Sequence, residues 1–168
     1  MAIANTISDF LIDRDIDYHV YPHSYTESAS ESARETHIDP ARLAKAVVMA
    51  TKGNKRRKYT IAVLPASCEV NTEEFGLAAH EHIELAKEYE LSVLFPDCAV
   101  GAVPVFGEAY GLQTVVDESF EARSDDVFFE AGDHEELIRV SADQFVRLMA
   151  GARFAAFSHE MSRNKKSY

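Results

Sequence analysis

Two short apolar segments separated by a basic loop constrain the fold more than any other feature of the sequence. Residues 44–51, AKAVVMAT, and residues 59–64, YTIAVL, are apolar on both faces and rich in small or β-branched side chains. Segments of this length and composition are typical of buried strands. The loop between them, KGNKRRK, contains Gly53-Asn54 and a cluster of basic residues, which indicates a hairpin with a charged tip.

The rest of the chain alternates between helical and extended patterns. Apolar residues recur at helical spacing over 3–14, and Ser141 begins a final helix that Gly151 ends. The other predicted helices span 26–37 and 72–79, and residues 87–94 predict a helix or a turn. The other predicted strands span 16–21, 82–85, 110–116, 126–130 and 136–140. Many short strands with helices between them indicate an α+β fold, with a mixed, barrel-like sheet flanked by helices.

The length of 168 residues suits one domain. We place this domain at residues 1–151 and expect residues 152–168 to form a frayed C-terminal tail. No apolar run approaches the roughly 20 residues that span a bilayer, and the N-terminus lacks a secretory pattern. Cys68 and Cys98 form no CxxC pair, so we expect reduced thiols in a cytoplasmic protein with no membrane partner.

The charge is acidic overall but unevenly distributed. A formal net charge of −11 argues against broad, nonspecific nucleic-acid binding. Five of the 17 basic residues nevertheless fall in one short segment: Lys52, Lys55, Arg56, Arg57 and Lys58. This segment is either a solvated turn or the place where the chain concentrates its positive field for an anionic partner.

Lys45 is the most informative single residue. In an extended strand its side chain lies on the same face as Val47 and Met49. A buried ammonium is costly unless an anionic group or a ligand pairs with it. Lys45 therefore either begins the strand and extends its ammonium to water, or faces a cavity that receives a ligand.

Two irregular segments carry further candidates. Residues 97–107, DCAVGAVPVFG, predict a structured loop whose N–H groups can face a carbonyl oxygen that becomes negative during hydrolysis. A plain tight connection is the alternative. His134 lies in a polar turn, where a lone histidine is more often solvated than functional. His80 and His82 would share one face of a strand, but no third ligand stands at a standard spacing, so we predict no metal site.

Lys45, the loop from Gly101 to Gly107, and the stretch AGDHEELIRVSADQF at 131–145 occur in the order and at the separations of a known family. From about residue 16 to residue 149, the chain resembles the YbaK/prolyl-tRNA-synthetase-associated editing domains. The resemblance implies hydrolysis of the ester between an amino acid and the terminal ribose of tRNA. It predicts a stand-alone trans-editing hydrolase acting on tRNA-Pro that carries a small amino acid such as alanine or cysteine.

The resemblance also implies roles for individual residues. Lys45 would lie beside the scissile ester or the terminal phosphate, Gly101 would help to clamp the carbonyl, and His134 would orient groups in the pocket. Further substrate-binding residues would be Ala46, Ala102, Val103, Pro104, Val105, Phe106 and Gly107. From the charge pattern we predict that the acceptor stem contacts Lys52, Lys55, Arg56, Arg57 and Lys58.

No cofactor and no metal are expected. The expected partners are the acceptor end of an aminoacyl-tRNA and an aminoacyl-tRNA synthetase. Two departures from the family pattern bear on specificity: Pro104 stands one position before the usual proline, and Ala46 follows Lys45 where relatives often have a polar residue. Two other functions stay open, a non-catalytic module that binds tRNA ends or a synthetase, and an esterase for small molecules.

Overall fold

A computed structural model describes residues 3–53 and 55–162 and contains five α-helices, three single-turn 3-10 helices and ten strands in those ranges. The helices are α1 (Asn5–Asp13), α2 (Ala29–Thr36), α3 (Thr72–Ala79), α4 (Glu88–Leu94) and α5 (Ala142–Leu148). The strands are β1 (His19–Pro22), β2 (Leu43–Thr51), β3 (Tyr59–Pro65), β4 (Cys68–Val70), β5 (Ile83–Leu85), β6 (Gln113–Asp117), β7 (Val127–Glu130), β8 (Glu136–Val140), β9 (Arg153–Ala155) and β10 (Ser158–Glu160). None of the helices in these ranges is long and apolar enough to cross a bilayer.

Eight of the strands form one mixed sheet in the order β1-β8-β7-β2-β3-β6-β9, with β5 also paired to β2. The predicted hairpin is its centre, because β2 and β3 pair antiparallel from Ala44 opposite Pro65 to Ala50 opposite Tyr59. The β2–β7, β3–β6 and β6–β9 pairs are parallel, and the other pairs are antiparallel. The predicted α+β class, with a mixed sheet flanked by helices, is confirmed.

Strand β2 shares one of its edges between two partners. β3 covers the other edge along nearly the whole strand. On the shared edge, Leu43 and Ala44 pair with β7, and residues 49–51 pair with β5. Within the described ranges, residues 45–47 have no strand partner on this edge. The sheet therefore leaves a gap beside Lys45 and Ala46.

The core lies on both faces of the sheet. The main cluster covers the face that carries Ala44 and Val48 and is closed by α1 and α5, with the large buried side chains Ile7, Leu11, Phe106, Phe120, Phe129 and Phe145. Two smaller clusters cover the opposite face, one under α3 around Met49 and Leu64, and one under α2 around Leu43. Lys45 lies between these two smaller clusters, because it is on the same face of β2 as Leu43 and Met49.

The C-terminal segment is part of the fold up to residue 162. β9 extends the main sheet beside β6, and β10 pairs with β4. Phe157, between them, is fully buried, and its ring meets that of Phe75 edge-on at 5.0 Å. The prediction of a frayed tail is therefore wrong for residues 152–162, because Phe157 completes the cluster under α3. Residues 163–168 lie outside the described ranges.

This burial predicts that the C-terminal segment contributes to stability. Phe157→Ala removes a fully buried aromatic ring, so we expect the free energy of unfolding to fall by about 3–5 kcal/mol. Urea denaturation followed by circular dichroism measures the change. Leu77→Ala is the control, because Leu77 is 76% exposed and its loss should change stability by no more than about 0.5 kcal/mol. Equal stability of Phe157→Ala and the unmodified protein would contradict the packing described here.

Candidate functional site

A cavity of about 130 Å³ opens beside the gap in the edge of β2. Its walls come from β2, the start of α2, the loop after α4, and the end of β7 with the turn that follows. Lys45, Gly101 and His134, the three residues predicted to be catalytic, all line it. Ala46 and Val103, predicted to bind substrate, line it as well. Four segments that are distant in sequence therefore meet at one small hollow.

Lys45 is half-buried at this cavity. Burial lowers the pKa of Lys45 below its usual value, because loss of water disfavours the ammonium, while the nearby Cys68 and Glu69 act in the opposite direction. Among the described residues, no carboxylate forms an ion pair with Lys45. The amine is thus partly desolvated and available to a ligand.

His134 joins the two loops of the site. It is 5% exposed, and its backbone has the left-handed φ of 66°. Nε2 lies 2.7 Å from the carbonyl oxygen of Val100. A carbonyl oxygen can only accept a hydrogen bond, so Nε2 carries the proton in this contact. The bond fixes the peptide between Val100 and Gly101, and because N–H and C=O point in opposite directions across a trans peptide, it also fixes the N–H of Gly101.

The turn that contains Gly101 requires glycine. The N–H of Ala102 donates to the carbonyl of Ala99 at 3.0 Å, and Gly101 occupies the third position of this turn with a φ of 84°. A type II turn needs such a positive φ at this position. The N–H groups of Gly101 and Val103 donate no hydrogen bond to any other described residue. Both are therefore candidate donors to a ligand.

Only the beginning of the predicted substrate loop reaches the cavity. The other predicted residues of the loop do not line it: Ala102, Pro104, Val105, Phe106 and Gly107. Apolar packing draws them away. Phe106 stacks on Phe10 at 5.2 Å and meets Phe129 edge-on at 4.9 Å, in the main core. Gly107 lies at a separate hollow of about 370 Å³, where a Cβ would collide with Thr114. The role given to the loop as a whole thus narrows to Gly101 and Val103.

The start of α2 forms a further wall of the cavity. Ser28 caps the helix by accepting a hydrogen bond from the N–H of Glu31 at 3.3 Å. The sequence predicts a helix from Thr26, but the hydroxyl of Thr26 lies 2.6 Å from that of Ser32, and both residues are buried. Ser28 and Ser32 both line the cavity, so α2 contributes hydroxyl groups to it.

Glu130 is a cavity residue that the sequence pattern does not single out. It ends β7 on the same face as Phe128 and lines the cavity. Its Oε1 accepts a hydrogen bond from the N–H of His134 at 3.1 Å. Burial raises the pKa of Glu130, and the neighbouring His134 opposes this shift. The signal in the sequence is an acidic residue at the end of the apolar run VFF, and its meaning depends on the pairing of β7 with β2.

The basic residues of the hairpin tip differ in how far they are exposed and in whether they pair with carboxylates. Lys52, Lys55 and Arg56 are exposed, and Lys58 is 73% exposed with Glu81 3.5 Å away. The site lies about 20 Å from this tip, since Lys45 and Lys52 are seven residues apart on a strand that rises about 3.3 Å per residue.

The side chain of Arg57 is hydrogen-bonded within the protein and does not extend freely into solvent. Its Nη1 donates to Glu84 at 2.6 Å and its Nη2 donates to Glu90 at 3.1 Å. Glu90 is buried and also accepts from the hydroxyl of Tyr59 at 2.8 Å. Arg57 therefore ties the hairpin to β5 and α4, and we remove it from the set proposed to bind phosphate.

Comparison with known proteins gives the family. A profile of the aminoacyl-tRNA editing domain matches residues 23–148. The chain belongs to the aminoacyl-tRNA editing domain family. The matched range includes Lys45, Gly101 and His134, and the sequence has no significant match among curated proteins.

Solved structures show the same fold. Hypothetical protein APE2540 is 18% identical, with a TM-score of 0.78 over 92% of this chain and 100% of that chain. A candidate trans-editing enzyme for prolyl-tRNA synthetase is 18% identical, with a TM-score of 0.75 over 93% and 96%. A candidate signal transduction protein from Marinobacter aquaeolei VT8 is 17% identical, with a TM-score of 0.67 over 92% of this chain and 30% of that chain. Such identities establish a common fold and nothing finer.

The cluster around Glu90 predicts a pH-dependent stability. The N–H of Lys87, the hydroxyl of Tyr59 and the guanidinium of Arg57 lower the pKa of Glu90 from 4.5 to about 2. A carboxyl whose pKa is lowered by folding stabilises the fold fully above its unfolded pKa, and this contribution is lost as pH falls through the folded pKa. Glu90→Gln should therefore unfold at a lower temperature than the unmodified protein at neutral pH, with a difference that shrinks from about pH 4.5 towards about pH 2.

Thermal unfolding across this pH range measures the difference. Glu88→Gln is the control, because Glu88 is exposed on the same helix. A destabilisation by Glu90→Gln that is constant across the range would contradict the assignment.

Proposed function

We propose that the chain is a trans-editing hydrolase that cleaves the aminoacyl ester of mischarged tRNA. One observation carries the proposal: Lys45, Gly101 and His134 line a single cavity in a chain of the aminoacyl-tRNA editing domain family. A cytoplasmic location and a synthetase as second partner stay predictions that accompany it.

The available groups suit ester hydrolysis without a protein nucleophile. An aminoacyl ester on a vicinal diol is already activated, and the chief requirement is to stabilise negative charge on the carbonyl oxygen. The N–H groups of Gly101 and Val103 are free to donate to such an oxygen, and one donor of this kind contributes about 3 kcal/mol to the transition state. The partly desolvated ammonium of Lys45 would add charge stabilisation, which is stronger away from bulk water.

His134 acts through the loop in this mechanism. Its hydrogen bond to Val100 sets the orientation of the next peptide, and with it the N–H of Gly101. His134 is thus a positioning residue for the donor at Gly101. Cys98 takes no part as a nucleophile, because burial raises its pKa to about 11 and leaves it a thiol.

The size of the cavity supports a small amino acid. A volume of about 130 Å³ is well below the roughly 300–1,000 Å³ of pockets that enclose drug-sized ligands. We therefore expect alanine, cysteine or serine to be favoured over an aromatic side chain. The choice of tRNA-Pro rests on the resemblance to the prolyl-tRNA-synthetase-associated editing domains.

Deacylation assays test the reaction. We expect the protein to release free amino acid from tRNA-Pro charged with alanine or cysteine, and Lys45→Met to slow release by about 100-fold, because it removes one charged group that stabilises the transition state. Lys87→Met is the matched control, since Lys87 is exposed outside the cavity. Release by the protein and by Lys45→Met at equal rates would refute the role of Lys45. Binding of charged tRNA without release would indicate the non-catalytic module, and cleavage of simple esters alone would indicate the small-molecule esterase.

The hairpin tip is tested by the salt dependence of tRNA binding. We expect Lys55→Gln and Arg56→Gln each to weaken binding and to flatten the plot of log affinity against log salt by about 0.7–0.9 per lost phosphate contact. Filter binding across a salt series measures both effects. Arg147→Gln is the control, because Arg147 is exposed on α5, which packs on the face of the sheet that carries Ala44 and Val48 and is not part of the hairpin tip. An unchanged slope in both tip variants would exclude phosphate contacts there.

A further inference from the structure

The cavity contains an acidic side chain as well as the amine of Lys45. Glu130 lies at the end of β7, and in the parallel register Leu43 is opposite Phe128 and Ala44 is opposite Phe129. Continued by one residue, this register sets Glu130 beside Lys45 on the same face of the sheet. The two side chains nevertheless form no ion pair in the described part of the chain.

The carboxyl group of Glu130 is held in place from one side. Its Oε1 accepts the hydrogen bond from the N–H of His134, and the left-handed backbone of His134 fixes the direction of that N–H. The other oxygen, Oε2, receives no hydrogen bond from any residue of 3–53 or 55–162, and it is not a fully buried atom. Oε2 is thus an acceptor without a protein donor in the described part of the chain, on a side chain that lines the cavity.

A cation in the cavity would match this acceptor. Burying a carboxylate is costly unless a positive group or hydrogen-bond donors compensate. Among the described residues, no lysine or arginine forms an ion pair with Glu130, and its one hydrogen bond is the bond from the N–H of His134. The aminoacyl ester of a tRNA carries one cation next to its reacting carbonyl, the α-ammonium group, which has three hydrogen-bond donors.

We propose that Glu130 binds the α-ammonium group of the aminoacyl ester through Oε2. This assignment rests on the proposed deacylase function and adds to it a selectivity for substrates with a free α-amino group. An ester whose amino group is acylated lacks the positive charge and two of the three N–H donors of the α-ammonium group. When such an ester binds, the carboxylate of Glu130 has no cation to pair with. The protein therefore spares tRNA that carries an N-acylated amino acid and acts on tRNA that carries a free one.

Glu130→Gln tests the assignment, because the glutamine keeps the shape and its amide oxygen can still accept the hydrogen bond from His134. Deacylation is measured with alanyl-tRNA and with N-acetyl-alanyl-tRNA. We expect the unmodified protein to prefer the free amine by about 10- to 100-fold, the range for a hydrogen bond to a charged group. Glu130→Gln should lose most of this preference by reacting more slowly with alanyl-tRNA, while its rate with the N-acetyl substrate stays the same.

Two further variants separate charge from shape. Glu35→Gln is the control, because Glu35 is an exposed carboxylate on α2 outside the cavity and should keep the full preference when neutralised. Glu130→Asp keeps the charge and should retain part of the preference. Thermal unfolding of each variant verifies that it is folded. A Glu130→Gln protein that still prefers the free amine to the full extent would overturn the assignment.

A binding measurement separates this proposal from the hydrolase itself. The probes are 3′-alanylamino-3′-deoxyadenosine, whose amide resists hydrolysis, and its N-acetyl derivative. If the protein releases no amino acid from any charged tRNA but binds the free amine more tightly, and Glu130→Gln abolishes the difference, the hydrolase proposal fails and the assignment of Glu130 holds. If the protein binds both probes equally, or neither, the assignment fails whatever the deacylation assays show.

Discussion

The divided edge of β2 is the constraint on which the site depends. β7 ends at Glu130 and β5 pairs only from residue 49, so neither strand covers the middle of β2. Val48 directs its carbonyl to this edge, where it accepts the N–H of Ala86 at 2.9 Å. Alternate residues of a strand point their backbone groups to the same edge, so the N–H and C=O of Ala46 face the gap too. Backbone groups of this kind need a partner, either water or a ligand, and the sheet can leave them open only at a cavity.

Two partly buried cations of the hairpin, Arg57 and Lys45, differ in whether carboxylates pair with them. Arg57 is enclosed by Glu84 and Glu90, with the hydroxyl of Tyr59 completing the cluster. The guanidinium thus ties the hairpin to β5 through Glu84 and to α4 through Glu90. Lys45, on the same hairpin, has only longer-range attraction from Cys68 and Glu69 to offset its burial. A chain with a net charge of −11 contains many carboxylates. Because none of them forms an ion pair with Lys45 among the described residues, we attribute the unpaired amine to the way in which the cavity is built.

Sequence reasoning succeeded where the signal is local. The hairpin was predictable because both of its strands are apolar on two faces, and the irregular segment at 97–107 because its glycines and proline break every periodic pattern. It failed where a residue's meaning depends on a distant partner. The sequence around Phe157 does not show what this residue packs against. Its contact with Phe75, some 80 residues earlier, and the pairing of β9 and β10 with distant strands show that the C-terminal segment is folded. The position of Glu130 at the cavity follows from the register in which β7 pairs with β2, and no local sequence pattern predicts this register.

The cavity is polar, because Lys45 and Glu130 both line it but form no ion pair with each other in the described part of the chain. Burial moves the pKa of Lys45 down and that of Glu130 up, so each group is pushed towards its neutral form. A ligand with a cation at one end and developing negative charge at the other would reverse both shifts at once. It could do so in one orientation only, with its amine towards β7 and its carbonyl towards Lys45 and the turn at Gly101. Under the proposed function, this polarity would hold an aminoacyl ester in position for attack by water before any group of the protein takes part in the chemistry.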